Sequence, residues 1–369
     1  MSTLGSYQAD AFEIEDIVNT YYAYLDRFDH ERMPMSDTLR SEAESVSDRQ
    51  SLNHYAERAF LVLADHHAQI QTSFRDSWAV PPSQADVWVT FKNGSCVVDA
   101  VRSKSPAHNA KITAGDHITH VDGVAISEAI ADFWSDLGFV FSDPEHLSFA
   151  ARLLVAGRRD TPRQLRLKTE DGSKDISLAS SNNWQDIGQP ISAKLTSANE
   201  VALTIKFHNA LGDDATIVAF DDAMKGASVN QSVVLDLTDT PSGGNTSVAR
   251  AIMGWFAKEP TFYQMHRYVA EERATGVARQ WVEQVLPRAD KYHSGAVTVR
   301  VGRWTGSMGE GLALGLRALG AKVEGHRMAG LRGAIHNYPL SYSGIVLNLP
   351  AERLYAVDGM PREDFTLDT

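Results

Sequence analysis

The stretch that decides the fold is AVTVRVGRWTGSMGEGLALGLRAL, residues 296–319. Its first part alternates apolar and polar residues with a period of two, which is typical of a β-strand. Its last part spaces apolar residues at three- and four-residue steps, like one face of a helix: Leu312, Ala313, Leu314, Leu316 and Leu319. The pattern therefore predicts that Ser307, flanked by glycines, lies where a strand ends and a helix begins.

Ser307 at such a junction has two interpretations. A serine hydroxyl acts as a nucleophile when a base removes its proton and donors stabilise the resulting oxyanion. The first N–H groups of a helix lack internal partners, so Met308 N–H is a candidate oxyanion donor, and Gly306 and Gly309 would let the backbone approach a substrate carbonyl. Alternatively, Ser307 only caps the helix, and Glu310 completes a capping box.

Two other motifs fit this stretch poorly. Residues 305–309, TGSMG, do not form the Gly-x-Ser-x-Gly elbow of α/β-hydrolases. The glycines at 309, 311 and 315 are one residue out of step with a dinucleotide-binding fingerprint. Neither motif decides the function.

A second glycine turn lies upstream, in VVLDLTDTPSGGNTSVARAIMGWF, residues 233–256. It again runs from strand to turn to helix, and Gly243 and Gly244 stand where a main-chain N–H could face a ligand. An anion-binding turn and an ordinary tight turn both fit this pattern. From residue 184 onward strands and helices alternate, with a helix near 213–227, which predicts an α/β layer.

The N-terminal part has helical periodicity over residues 10–75, carried by Ile14, Ile17, Val18, Tyr21 and Leu25. A polar, serine-rich stretch at 36–48 predicts a break. YAERAFLVLADHHAQI, residues 55–70, then predicts a second helix. Pro81-Pro82 would stop it, because proline cannot continue a helix.

Short strands and turns follow. ADVWVTF and SCVVDAV flank Asn93-Gly94, which predicts a hairpin because Asn-Gly accepts positive φ at both turn positions. RQLRLKTEDGSKDISLAS, residues 163–180, predicts another hairpin around Asp171-Gly172.

Between the hairpins, SPAHNAKITAGDHITHVDG, residues 105–123, has a Ser-Pro-Ala helix start, a helix-ending Gly-Asp and a strand closed by Asp-Gly. With these motifs, residues 84–180 resemble a PDZ domain. A Gly-Leu-Gly-Phe-like loop, which holds a peptide carboxylate in that family, does not precede the first strand.

The composition limits the class of protein. The chain has 369 residues, enough for two or three domains, and its 43% apolar and 22% charged residues are those of a globular protein. The formal charge of −12 argues against nucleic acid as the main partner. No stretch approaches the roughly 20 apolar residues that span a bilayer. Cys96 is the only cysteine, which excludes an intrachain disulfide and a thiolate metal cluster.

The compartment has two interpretations. The start, MSTLGSYQADAF, lacks the charged and apolar regions of a signal peptide, and a single thiol suits either the cytosol or a bacterial periplasm. We expect a periplasmic or secreted mature form with a substitute Met1. A cytoplasmic protein is the alternative.

The two glycine turns and the PDZ-like segment together resemble the C-terminal processing, or tail-specific, peptidase family, including its tricorn-core-like branch. That family places an Asp-Leu-Arg-x-Asn-x-Gly-Gly turn ahead of a Ser-x-x-Glu nucleophile turn. Asp236-Leu237 and Gly243-Gly244 match the ends of the first turn, and Ser307 and Glu310 match the second. The resemblance extends to Asp358-Gly359 near the end of the chain.

The resemblance implies the fold class α/β, with three parts. These are a helical N-terminal region over residues 1–82, a PDZ-like β-rich insertion over 84–180, and a core over 184–369. The core would be of the spiral α/β kind that the family shares with crotonase-like and ClpP-like proteins.

The sequence departs from the family at two places. In the first turn Thr238 replaces the arginine, Thr240 stands for the asparagine, and Ser242 looks inserted. The processing branch takes its base from a lysine in a Gly-x-x-Thr-x-Gly-Lys-Gly string, but this chain reads GHRMAGLRG and has Leu331 at the lysine position. The adjacent Arg332 stays charged and is a poor base. A Ser-Lys dyad is therefore not expected.

The tricorn-like branch instead uses a histidine from the N-terminal part. LADHHAQI, residues 63–70, matches its Leu-x-Asp-x-His or Ser-His-Ala context and offers His67. A neutral imidazole is suited to taking up and returning the serine proton at neutral pH. His66 is the less favoured neighbour. A surface histidine pair at a helix end and a His-His-Asp metal site are the alternatives.

A third group should orient the histidine. The resemblance implies a glutamate in the C-terminal segment after an Asp-Gly turn, and DGMPREDF, residues 358–365, offers Glu363. Asp358 and Asp364 are competing carboxylates. A solvated charged terminus is the alternative.

The resemblance thus implies a serine endopeptidase that cleaves protein or peptide substrates without a metal or organic cofactor. Ser307 would attack the carbonyl, His67 would move the proton, and Glu363 would orient the imidazole. The oxyanion would be held by backbone N–H groups of Met308 and of Gly243 or Gly244.

Two other functions stay open. A peptide-binding or scaffolding protein could keep the fold without turnover. A binder of small hydrophobic molecules, as in the family's retinoid-binding relatives, would need a dry apolar cavity. The sequence indicates neither the substrate nor the oligomeric state.

Overall fold

A computed structural model gives the fold and describes residues 6–170, 172–180, 189–197, 201–228 and 230–367. Its contacts divide the chain into two compact units. The first unit comprises residues 1–184 and 334–351, and the second comprises residues 185–333 and 352–369. The first unit thus contains the ranges predicted to be helical and PDZ-like, together with a later segment. The three predicted domain ranges themselves stay a prediction.

The helices in chain order are α1 (Tyr7–Tyr21), α2 (Asp37–Ser45), α3 (Arg49–Leu61), α4 (Pro106–Asn109), α5 (Ile126–Ser135), α6 (Pro144–Ala156), α7 (Asp214–Lys225), α8 (Thr246–Met253), α9 (Val269–Thr275) and α10 (Met308–Ala318). The strands are β1 (Gln69–Ile70), β2 (Val87–Lys92), β3 (Ser95–Val101), β4 (His117–Val121), β5 (Val124–Ala125), β6 (Arg163–Thr169), β7 (Gly172–Leu178), β8 (Ile191–Ser197), β9 (Val201–Phe207), β10 (Ser232–Asp236), β11 (Thr261–Tyr268), β12 (Gln280–Val285), β13 (Val297–Val301), β14 (Lys322–Gly325), β15 (Ala334–Pro339) and β16 (Val346–Tyr355).

The first unit begins with α1, α2 and α3, which pack against one another. Each of these helices starts at a side chain that accepts a backbone N–H of the first turn, which satisfies a donor that the helix itself cannot pair. The capping residues are Ser6, Ser36 and Asp48. The prediction of helices in the N-terminal part is confirmed.

The predicted break at residues 36–48 is wrong, because α2 lies within it. Ser36 accepts the N–H of Leu39 and so starts a helix in the serine-rich stretch. Leu39 and Ala43, one turn apart, give this helix a buried face. A few buried apolar residues at helical spacing therefore outweigh the polar composition.

The predicted second helix over residues 55–70 is also partly wrong. It ends at Leu61, and Ala64 takes a positive φ of 43°, which an α-helix cannot accommodate. The chain has become extended by β1. His67 therefore lies between a helix and a strand and not at the end of a helix.

The late segment, residues 334–351, belongs to the first unit because it is hydrogen-bonded to the N-terminal helices. Asp10 of α1 is buried and accepts the N–H groups of Tyr342 at 2.9 Å and Ser343 at 2.7 Å. Ala23 N–H donates to Pro350 O at 2.9 Å. Strand β1 pairs antiparallel with β16 in this segment, and β15 also pairs with β16.

The β-rich part of the first unit is one sheet with the order β2-β3-β4-β6-β7, and β5 pairs with β4. The predicted hairpin at Asn93-Gly94 is confirmed, because the two residues take φ values of 53° and 73° between β2 and β3. Strands β6 and β7 also pair as a hairpin, although Asp171 of the predicted turn lies outside the described residues. The assignment of this part as a PDZ domain stays a prediction.

Helix α6 covers the outer strand of that sheet. Ser148 Oγ accepts the N–H of Phe91 at 3.0 Å and donates to its carbonyl at 3.2 Å. Arg152 Nε donates to Val89 O at 3.1 Å. Backbone groups of β2 that would otherwise face outward are thus paired within the chain, which protects a sheet edge from pairing with another strand.

The second unit contains a sheet with the order β14-β13-β10-β9-β8. Strands β14, β13, β10 and β9 are parallel, and β8 pairs antiparallel with β9. The middle of β10, residues 233–235, is apolar and buried, as expected for a parallel strand covered on both faces. Helices α7, α8 and α10 alternate with these strands along the chain, so the predicted fold class, α/β, is confirmed.

Strands β11 and β12 were not predicted. They pair antiparallel with each other, and β11 also pairs with residues 352–355 at the end of β16. The positions of β12 alternate between exposed and half-buried, and within this strand only Val285 is buried. Such strands have little sequence signal, since their stability comes from pairing with distant residues.

Candidate active site

Ser307 lies in the serine turn, residues 302–309, between β13 and α10, as the sequence predicted. Its backbone has φ 51° and ψ −121°, and the residue is half-buried. A positive φ is unfavourable for a residue with a Cβ and persists only where the surroundings impose it. Such strain at an accessible serine is typical of a functional turn.

The second turn, residues 237–245 and here called the glycine turn, lies beside the serine turn. Strands β10 and β13 are parallel neighbours, so the turns at their carboxyl ends meet at one edge of the sheet. Thr240 N–H donates to Trp304 O at 2.7 Å, and Gly306 N–H donates to Thr240 O at 3.1 Å. The Oγ1 atoms of Thr240 and Thr305 both donate to Leu237 O at 2.7 Å.

Gly306 is required by this contact between turns. A Cβ on it would lie 2.5 Å from Pro241 O and 3.1 Å from Leu331 Cδ1. The sequence predicted that Gly306 lets the backbone approach a substrate carbonyl. In the structure, the atoms that come close to it belong to the glycine turn and to Leu331.

Gly243 lies directly against the start of α10. Its φ is 58°, and a Cβ on it would lie 2.4 Å from Met308 N and 2.9 Å from Ser307 Cβ. Gly243 N–H already donates to Thr240 O at 3.2 Å. Within the described part of the chain, Met308 N–H and Gly244 N–H have no acceptor. These two amides can therefore donate to an added oxyanion.

Glu310, in the first turn of α10, is fully buried. Its Oε2 accepts Ser307 N–H at 2.9 Å, which is the glutamate half of the predicted capping box. The same carboxylate accepts Gly330 N–H at 2.9 Å and Leu331 N–H at 3.2 Å. Burial raises the pKa of Glu310 to about 7, although Arg362 and the backbone donors act in the opposite direction.

Leu331 lies in a loop, residues 325–333. By the resemblance given above, it stands in place of the lysine of the processing branch. Its side chain is buried and packs against Gly306. An apolar side chain there cannot take up a proton from Ser307. Position 331 therefore supplies no base to Ser307.

Glu363 lies in a short 3-10 turn, Arg362–Asp364, also in the second unit. It is half-buried, whereas the competing carboxylates Asp364 and Asp358 are exposed. Its backbone carbonyl would lie 3.3 Å from a Cβ on Gly330. The backbone of Glu363 therefore lies next to the 325–333 loop.

Arg362, which the sequence did not single out, holds the same loop. The residue is 2% exposed, and its Nη2 donates to Leu331 O at 3.0 Å and to Gly333 O at 2.8 Å. Arg362 lies in a charged segment near the end of the sequence, and nothing near it in the sequence indicates that it is buried. Its partners are separated from it by 31 and 29 residues.

His67 lies in the first unit and is buried. Its backbone N–H donates to Asp65 Oδ1 at 2.9 Å, and Tyr22 OH donates to Asp65 Oδ2 at 2.7 Å. The neighbouring His66 stacks on Phe149, with ring centroids 4.6 Å apart. The two histidines thus have different surroundings. The approach of His67 to Ser307 stays a prediction.

A further buried histidine was not singled out by the sequence. His266 on β11 shares a hydrogen bond of 2.7 Å with Glu352 and lies 3.8 Å from Glu283. Burial lowers the pKa of His266, but hydrogen bonds and charges of the two glutamates outweigh it, so the pKa is raised. This group ties β11 to β12 and to the end of β16.

Two features of the described residues concern membranes and metal ions. None of the described helices is both long and apolar enough to cross a bilayer. Among the same residues, no three His, Cys, Asp or Glu side chains are grouped so that they could hold a metal ion.

Several solved structures share the fold. The photosystem II D1 C-terminal processing protease matches with a TM-score of 0.58 at 16% identity, covering 97% of this chain and 91% of that one. Mature CPAF matches with a TM-score of 0.59 at 13% identity, covering 97% and 90%. A putative peptidase from Parabacteroides merdae gives 0.53 at 14% identity, covering 98% and 87%. No curated protein matches the sequence.

The family model described as "Peptidase family S41" matches residues 204–365. This range contains the glycine turn, the serine turn, the 325–333 loop and Glu363. Both the predicted family and the predicted class, a serine-type peptidase, are confirmed by this match. Residues 204–365 are therefore a domain of peptidase family S41.

Proposed function

We propose that this chain is a serine endopeptidase in which Ser307 attacks the substrate carbonyl. The observation that carries the proposal is the strained Ser307, with φ 51°, beside two amides that have no acceptor among the described residues, those of Met308 and Gly244. An enzyme gains rate when donors are held in advance at the position where negative charge develops. Gly244 is a better donor than Gly243, whose N–H is already bonded.

His67 is proposed as the base that takes the Ser307 proton and returns it to the leaving amine. Leu331 supports this role indirectly, because an apolar side chain at position 331 cannot act as the base. Asp65 and Tyr22 hold the backbone at His67, which would keep the imidazole in place. This arrangement resembles the tricorn-like branch more than the lysine-dependent one.

Glu363 is proposed to orient the His67 imidazole, as a carboxylate does in other nucleophile–base–carboxylate groups. Of the three carboxylates in the C-terminal segment it is the one withdrawn from solvent.

The substrate class that fits a peptidase domain is an unfolded polypeptide. A periplasmic or secreted location stays a prediction, and fractionation of cells that express the chain would test it.

The test is hydrolysis of casein by the purified chain and its variants. Ser307→Ala and His67→Ala should each lower kcat/KM by at least about 1,000-fold, since both act in one proton transfer. His66→Ala is the matched control for His67→Ala and should keep most of the activity. Equal cleavage by Ser307→Ala and the wild type would refute the proposal.

For Glu363, the matched control is its exposed neighbour. Glu363→Gln should lower kcat by roughly 10- to 10,000-fold, because the imidazolium loses its partner. Asp364→Asn should not change kcat. If the two variants behave alike, Glu363 does not orient the base.

A peptide-binding protein without turnover is the second candidate, and Leu331 in place of the lysine favours it. It predicts that the wild type binds casein and does not cleave it. In that case Ser307→Ala would bind as tightly as the wild type.

A further inference from the structure

Glu310 makes contacts that a helix cap alone does not need. Its carboxylate accepts three backbone N–H groups, from Ser307 at 2.9 Å, Gly330 at 2.9 Å and Leu331 at 3.2 Å. One of these donors belongs to the serine turn and two belong to the 325–333 loop. Glu310 is 0% exposed, so water cannot replace any of the three bonds.

Arg362 binds the same loop through carbonyl groups of its backbone. Its guanidinium donates to the carbonyls of Leu331 and Gly333, and its charge lowers the pKa of the Glu310 carboxyl. Glu310 thus accepts hydrogen bonds from N–H groups of the loop, and Arg362 donates hydrogen bonds to its C=O groups. The loop is bound at both edges, between the serine turn and the segment that carries Glu363.

The bond to Ser307 N–H matters because the Ser307 backbone is strained. A residue with a Cβ at φ 51° and ψ −121° is strained relative to a relaxed conformation. The ψ angle of Ser307 sets the direction of Met308 N–H, since that amide is the next one along the chain. An acceptor that holds Ser307 N–H therefore also aims the candidate oxyanion donor.

We propose that Glu310 is a positioning residue, which holds the strained serine turn against the 325–333 loop so that Met308 N–H points at the oxyanion. The proposal rests on the proposed function, because it assigns Glu310 a part in the same reaction. Glu310 does not touch the substrate. It acts through the backbone of Ser307.

The variant that tests this role is Glu310→Gln, which keeps the shape and removes one acceptor. A glutamine oxygen at the Oε2 position still accepts from Ser307 and Leu331, but its NH₂ group then faces Gly330 N–H, and two donors repel. We expect kcat on casein to fall roughly 10- to 100-fold, as for a displacement of the reacting groups by about 1 Å, while KM changes less than about threefold. Glu310→Asp, which keeps a carboxyl group with two oxygens, should recover part of kcat.

Asp221→Asn is the matched control. Asp221 is also a buried carboxylate of the second unit, held by Arg288, Lys291 and Trp255. Its replacement removes the same charge and weakens the fold, but it does not touch the serine turn. It should leave kcat unchanged at a temperature where the variant stays folded.

Amide hydrogen exchange gives a readout that does not depend on catalysis. Glu310→Gln should speed exchange in peptides that cover residues 305–309 and 328–333, and Asp221→Asn should not. Unchanged exchange in these peptides would show that Glu310 does not hold the turn, whether or not the chain is a peptidase. Faster exchange with an unchanged kcat would refute the positioning role. A wild type that does not cleave casein would instead refute the proposed function and leave only the binding of the loop to the turn.

Discussion

Replacing Gly243 by alanine tests whether the contact between the two turns sets the candidate active site. At this position φ is 58°, and the added Cβ would lie 2.4 Å from Met308 N, 2.5 Å from Gly306 O and 2.9 Å from Ser307 Cβ. Two of the three atoms are backbone and the third is a Cβ. No rotamer change can therefore relieve the contact, and one turn must move.

The size of the effect follows from these distances. A positive φ costs alanine roughly 1–2 kcal/mol relative to glycine. Excess volume in a packed region costs roughly 1–3 kcal/mol more, so the free energy of unfolding should fall by about 2–5 kcal/mol. An ordinary Cβ contact needs about 3.4 Å, which requires Met308 N to move by about 1 Å. Such a displacement costs roughly 100-fold in rate.

Gly276→Ala separates the strain from the contact. Gly276 ends α9 in the same unit with φ 72°, and a Cβ there meets no other described atom within 4 Å. It should lower the free energy of unfolding by about 1–2 kcal/mol and leave kcat/KM on casein unchanged. Urea unfolding and casein hydrolysis measure both quantities. If Gly243→Ala folds and cleaves casein as fast as Gly276→Ala, the glycine turn does not set the site.

Three further predictions concern stability, measured by urea unfolding. Burial raises the pKa of Glu310 from 4.5 to about 7, so the contribution of Glu310 to the free energy of unfolding is fully present below pH 4.5 and decreases by up to about 3 kcal/mol as pH rises through 7. Glu310→Gln should remove this part of the pH dependence. For Asp221 burial raises the pKa, but hydrogen bonds from Arg288, Lys291 and Trp255 outweigh burial and lower it to about 2, so the stability that Asp221 contributes is lost as pH falls from 3.8 through 2. The free energy of unfolding of Asp221→Asn should therefore fall less than that of the wild type over this window. Thr240→Val and Thr305→Val should each cost about 1 kcal/mol, and the double variant should cost more than their sum, because Leu237 O then loses both donors; simple additivity would contradict this.

The parts of the site that the sequence could predict depend on near neighbours in the chain. Val297, Val299 and Val301 form β13, and the apolar face after Ser307 forms α10, so the serine was correctly placed at their junction. Two glycines in a row marked the second turn in the same way. Local conformational preference and a short hydrophobic period are sufficient for such features.

The parts that could not be predicted depend on residues far apart in the chain. Nothing near Glu310 indicates that its carboxylate binds amides 20 and 21 residues later, and nothing near Arg362 indicates that it is buried. The end of α3 at Leu61 is a similar case, since apolar residues continue beyond it at helical spacing. Tertiary packing outweighs local preference at these positions.

The sequence by itself determined the alternation of strands and helices in the second unit and the position of Ser307 between β13 and α10. It could do so because backbone propensity and apolar spacing act over a few residues. Only the tertiary structure decided that the two glycine-containing turns lie together, that Gly243 packs on Met308 N, and that Glu310 and Arg362 hold the 325–333 loop. The contact between the two turns follows from the parallel pairing of β10 with β13, and the 325–333 loop follows β14, which pairs parallel with the other side of β13. Parallel pairing thus brings together turns that are far apart in the sequence.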